Sequence, residues 1–200
     1  GAASAQAALA RVVADRPEET DRQTRDSAAS ATEGAVEALL AAGVDVTPEM
    51  AGETLRALGG VIAVEDGGLA DRRALALRTA TGLTAAQAVG LALGERGVSA
   101  AGGGLQTAVQ KVEASRVARM RLVAPGADAS VGFPEGAADA SLGLEGGVAG
   151  RLVLAAFDAY EGSAAPGVRS GTSRVLLADA ATGLELATSG LAAPVLLEGP

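Results

Sequence analysis

Protein catalysis most often rests on His, on Cys, on an activated Ser or Lys, on a bound metal, or on a tuned pair of carboxylates. This chain of 200 residues has no His and no Cys, which excludes Ser-His-Asp and Cys-His arrangements and the common zinc-ligand spacings. A Ser-Lys pair would need Lys111, the sole lysine, which sits inside LQTAVQKV and reads as an ordinary strand residue. Glu65 and Asp66 are adjacent acids that could be imagined as glycosidase carboxylates. Sugar sites offer aromatic platforms, however, and one Tyr and two Phe leave little to stack on. The pair therefore reads as helix-end acids. Gly102, Gly103 and Gly104 suggest a phosphate cradle, but the Lys-Ser/Thr of a P-loop does not follow them, and they read as linker. No Asp-x-Asp-x-Asp-Gly run marks a calcium loop. Arg72, Arg73, Arg116, Arg119 and Arg121 read as exposed partners for acids across a domain boundary. No catalytic, cofactor-binding or metal-ligating residue is assigned, no cofactor is implied, and the chain is not expected to be an enzyme.

The charge balance narrows the partners. A formal net charge of -8 opposes nucleic acid and anionic membrane surfaces, both of which demand clustered Lys and Arg. Hydrophobic residues make up 48% of the chain and aromatic residues 2%, so the core must be built from Leu, Val and Ala. Such a core favours closely packed helices and small sheets over a roomy ligand cavity. The remaining expectation is a partner that is itself protein: other chains, or other domains of the same chain. Absent cysteines leave cytosolic and extracellular settings both open. No apolar run reaches the roughly 18 residues of a membrane span. The opening GAASAQAALA, with no Met, is expected to belong to a longer protein.

These residues need elements to hold them. Ala2 to Ala14 predicts a short helix, ended by Asp15-Arg16-Pro17. A longer helix is predicted from Pro17 to Ala42, with Gly43 as its C-terminal cap. Thr47-Pro48-Glu49 is the clearest helix start, with Thr as N-cap and Pro at the first helical position, and Gly59-Gly60 reads as a soft spot in that helix. A further helix is predicted from Leu69 to Ala80, and another beginning at a capping-box pattern, Leu83 to Gln87, and ending near Gly94. Glu95 to Gly104 then reads as a linker. Beyond it the apolar period drops to alternation, predicting strands at Thr107 to Val112, Ala118 to Val123, Ser130 to Phe133 and Gly150 to Phe157. Pro125-Gly126 is a turn and Asp158 to Gly171 a loop. The final stretch reads as strand Val175 to Leu177, turn Asp179 to Gly183, strand Leu184 to Leu186, and strand Val195 to Leu197. The predicted class is α+β: an N-terminal small helical bundle over 1–97, followed by an antiparallel β-sandwich over 98–200 that is incomplete at its C-terminus.

With that order in hand, the second half resembles a GAIN domain of the polycystin and receptor-for-egg-jelly type. The resemblance is carried by LQTAVQKV from Leu105 to Val112, by SVGFP from Ser130 to Pro134, by LVLAAFD from Leu152 to Asp158, and by the strand, Asp-x-x-Thr-Gly turn and Leu-x-x-Pro-apolar sequence from Arg169 to Leu197. It implies a non-catalytic structural or interaction module, mechanical or adhesive, in the ectodomain of a larger cell-surface protein, located at the cell or ciliary surface. The family's proteolysis site would lie after Pro200, so no self-cleavage residue is carried over. Alternatives of other classes are a subunit of a surface filament or ciliary or flagellar assembly, and an enzyme that uses carboxylates alone.

Overall fold

A computed structural model describes residues 13–125, 130–133, 147–156, 171–186 and 196–198. Its helices come first and its strands second, so the chain is α+β. Helix α1 spans Arg22–Ala41, α2 Pro48–Ile62 and α3 Leu69–Gly90. The strands are β1 Val98–Gly102, β2 Leu105–Glu113, β3 Arg121–Val123, β4 Ser130–Gly132, β5 Gly147–Ala155, β6 Thr172–Asp179 and β7 Leu196–Glu198.

Local chemistry sets the helix ends. Helix α1 begins later than its sequence suggests, because Asp21 takes the cap position and its Oδ1 accepts from the Thr24 amide at 2.7 Å, while Pro17–Glu19 forms a separate 3₁₀ turn. It ends as expected at Gly43, whose φ of 62° permits the Schellman pair of Val44 N–H to Leu39 C=O and Gly43 N–H to Leu40 C=O, both at 3.1 Å. Thr47 caps α2, its hydroxyl accepting from the Met50 amide at 3.3 Å.

Four expectations need correction here. The two helices predicted between Leu69 and Gly94 are one, α3. Thr84 is no N-cap: its hydroxyl donates to the Thr81 carbonyl at 2.7 Å, so the backbone runs on, and Gln87 is occupied elsewhere. The supposed linker holds β1, and Gly103 and Gly104, with φ of 57° and 79°, form the two-residue turn that pairs Gly102 with Leu105. The strand predicted from Ala118 is a 3₁₀ helix over Ala114–Arg119, which turns Val117 into the core before β3 begins at Arg121. The arm Leu184 to Leu186 makes only an isolated bridge, Glu185 opposite Ala178. Predicted features at Ala2 to Val12, Gly126 and Asp158 to Ser170 lie outside the described residues.

All strand pairs are antiparallel. One sheet has the order β1-β2-β5-β6 and a second β3-β4-β7. Alternation sorts the larger sheet into two faces. Leu105 on β2, Val153 and Ala155 on β5 and Ala100 on β1 pack against Leu55 and Leu58 of α2 and Ala76, Ala80 and Leu83 of α3. On the opposite face Ala108, Val112, Val148, Leu152 and Leu177 pack with Leu122 and Val131 of the smaller sheet and with Met120 and Phe133, which flank its strands. Strands β2 and β5 are thus covered on both sides, which is why GRLVLAA is apolar almost throughout.

Helix α2 meets the sheet by backbone. A Cβ on Gly59 would stand 2.2 Å from Gly103 Cα, and one on Gly102 would stand 2.6 Å from the Gly52 carbonyl oxygen. Gly60 is equally tight on its other side, where a Cβ would lie 2.5 Å from Ala14 Cα. The predicted soft spot is therefore a pair of contact points. Each glycine admits a neighbouring backbone that a side chain would push away.

Candidate functional site

Charged side chains of the described residues converge at two places. The first joins the start of α1 to the α2–α3 connection. Arg72, on the first turn of α3, is buried; its Nε donates to the Val61 carbonyl at 2.7 Å, and its Nη2 donates to the Val64 carbonyl at 3.3 Å and to Asp66 Oδ1 at 2.7 Å. Its Nη1 donates to Asp26 Oδ1 at 3.0 Å. Arg25 approaches the same carboxylate from α1, its Nη2 donating to Asp66 Oδ2 at 2.6 Å while its Nη1 donates to the carbonyls of Pro17 and Thr20. The Gly68 amide also donates to Asp66 Oδ1, at 2.8 Å.

The electrostatics follow from this geometry. Hydrogen bonds from Arg25, then Arg72, then the Gly68 amide hold the Asp66 carboxyl well below the usual carboxylate range. Burial by itself would lower the Arg72 guanidinium, but its bonds to Asp66 and Asp26 raise it overall. A carboxylate held this firmly by two arginines is committed to binding three chain segments together. It is poorly suited to taking or giving a proton near neutrality.

The second place lies on the helix-facing side of the larger sheet. Arg151 projects from the middle of β5 and is 4% exposed. Its Nη2 donates to Glu185 Oε1 at 3.2 Å, and the Glu185 side chain is 51% exposed. Arg151 Nε is buried without an acceptor. Burial lowers the Arg151 guanidinium; Glu185 opposes that shift and Arg174 adds to it. Glu185 is delivered by the Asp179 turn, where Asp179 Oδ1 accepts from the Ala181 amide at 3.0 Å and the Thr182 amide at 2.6 Å. Gly183 completes this turn with a φ of 72°.

Residues singled out from sequence fall as follows. Asp66 enters the first cluster, while Glu65 is exposed beside it. Lys111 lies on β2 opposite Ala149. The Gly102 to Gly104 turn is filled by α2 rather than open to a phosphate. Arg72, read as exposed, is 2% exposed, because its guanidinium closes the α2–α3 connection from inside. Arg116 pairs locally with Glu113 at 3.3 Å, across three residues. Sequence reasoning missed Arg25, Asp26, Arg151 and Glu185. One signal was available for Arg151, a single charge inside the most apolar strand.

An open groove of about 680 Å³ runs along α1, lined by Arg22, Gln23, Asp26, Ser27 and Ser30. Among the described residues, no group of His, Cys, Asp and Glu is placed to hold a metal ion, and no helix is long and apolar enough to cross a membrane. No protein-family model and no curated protein matches the sequence.

Proposed function

We infer that this chain is a non-catalytic structural and interaction module of a larger protein, with the GAIN-like, cell-surface setting that the sequence resemblance implies. The single observation that carries this reading is the join between helices and sheet. Backbone lies on backbone at Gly59 and Gly103, the two layers share one core, and the buried Arg25 and Arg72 bind the helical segments together through Asp66. A load on the sheet would pass to the helices through close-packed atoms rather than through a hinge. Partners in this reading are other protein chains or neighbouring domains, with no cofactor and no small-molecule substrate.

Force spectroscopy on the chain held between inert handles tests it. The module reading expects helices and sheet to yield in one event at a reproducible force. Separate release of the helices at low force, with the sheet still intact, would sink the mechanical role. The sheet edges add a second expectation, since an edge strand offers main-chain groups to another strand. The isolated chain should assemble or be poorly stable alone. Cooperative, reversible unfolding of a monomer would contradict that.

A further inference from the structure

A guanidinium binds an oxyanion best through a parallel pair of N–H groups, and the Nε–Nη2 edge of Arg is one such fork. At Arg151 this edge is half used. Nη2 meets one oxygen of Glu185 at 3.2 Å, while Nε, on the same edge, is buried and meets no acceptor. Arg174 stands on the same face of the sheet, since Val153 pairs with Arg174 and Arg151 with Leu176, making the two arginines diagonal neighbours. Gln87 adds a further buried donor on this face, its Nε2 without an acceptor while its Oε1 accepts from the Thr107 hydroxyl at 3.1 Å. Among the described residues, the buried side-chain atoms left without a partner on this face, Arg151 Nε and Gln87 Nε2, are both donors.

The first cluster does not share this property. Arg25 also leaves Nε without an acceptor, but its carboxylate partner is fixed by Arg72 and the Gly68 amide and is only 20% exposed. Glu185 stands at the end of a turn with half its side chain in solvent. It can swing away and leave the Arg151 edge behind.

The geometry points to the Nε–Nη2 edge of Arg151, with Arg174 beside it, as a binding site for a small oxyanion, phosphate or carboxylate, that takes both N–H groups and displaces the Glu185 side chain. Glu185 is then a built-in competitor. Ligand binding turns the Glu185 side chain out to solvent, while the backbone bonds of Asp179 N–H to Leu184 C=O and Leu186 N–H to Leu177 C=O keep the arm on β6.

The test is a titration of the full chain, with inorganic phosphate and acetate as separate probes at constant ionic strength against chloride. It follows the Arg Nε–Hε resonances and the melting temperature. The Arg151 resonance should shift saturably, and the melting temperature should rise by about 4 °C near saturation. Glu185→Gln, at a half-exposed position, should tighten binding about tenfold by removing the competitor, and Arg151→Lys should weaken it at least about tenfold by removing the fork. Tighter phosphate points to a phosphorylated ligand, equal or tighter acetate to a carboxylate, and either supports the site. No saturable shift, an equal response to chloride, or unchanged affinity in Glu185→Gln would overturn it.

Discussion

Gly59 and Gly103 touch through their backbones: a Cβ on the first would stand 2.2 Å from the second's Cα, and a Cβ on Gly103 would stand 2.4 Å from Gly59 Cα. Neither chain can retreat easily. Gly59 is held in α2 by the buried Leu55 and Leu58, and Gly103 is held by the β1–β2 register.

Gly59→Ala should therefore destabilise the fold by about 3 kcal/mol, as overpacking against a fixed backbone does. Gly34→Ala is the control, because that helical glycine has nothing within 4 Å of its Cβ position. There the gain in helix propensity should stabilise by about 0.5–1 kcal/mol. Denaturant midpoints of the two variants should move in opposite directions.

Removing Arg72 withdraws donors from the carbonyls of Val61 and Val64 as well as from Asp66 and Asp26. Arg72→Met is expected to cost about 2–4 kcal/mol, since the groups it leaves are partly buried and lose a charged partner. Arg78 pairs with Glu33 at 3.4 Å on the surface, and Arg78→Ala should change stability by less than about 0.5 kcal/mol. Thermal unfolding of the two variants distinguishes a structural clamp from a surface ion pair.

Acid should weaken the fold in a defined direction. Asp66, Asp21 and Asp179 all have carboxyls held below the usual carboxylate range, by Arg25, by the Thr24 amide and by the Thr182 amide respectively. A carboxylate that stays ionised in the fold after it would protonate in the unfolded chain stabilises fully above the unfolded value. Its contribution is lost as pH falls through that value toward the folded one. Unfolding midpoints should hold steady above about pH 5 and decline steadily below about pH 4. Asp66→Asn should lower stability at neutral pH and flatten the acid decline.

Thr47→Ala removes the acceptor for the Met50 amide at the start of α2 and should cost about 1 kcal/mol. The same change should speed amide exchange in the first turn of α2 more than in α3. Equal exchange in both helices would mean that the cap is not what holds that end.

Features governed by neighbours in sequence were legible without coordinates. The Thr47-Pro48 start, the Gly43 stop, the Asp179 to Gly183 turn and the helix-then-strand order each depend on φ preferences or on side-chain bonds within a few residues. Those forces act wherever the segment sits. Contact decided the rest. Thr84 and Gln87 have the spacing of a cap, yet burial between α3 and β2 turns one inward to the Thr81 carbonyl and the other to Thr107. Gly102 to Gly104 have the composition of a linker, and the register with Leu105 and the approach of α2 make them a hairpin. Arg72 looks like any surface arginine in sequence, and Arg151 is marked only as a lone charge in an apolar strand; what each meets inside is set by partners from elsewhere in the chain, Asp26, 46 residues away, for the first and Glu185, 34 residues away, for the second. Composition and local pattern determined the class of fold. Long-range packing, which desolvates a charge only once its partner arrives, decided which charges it holds inside.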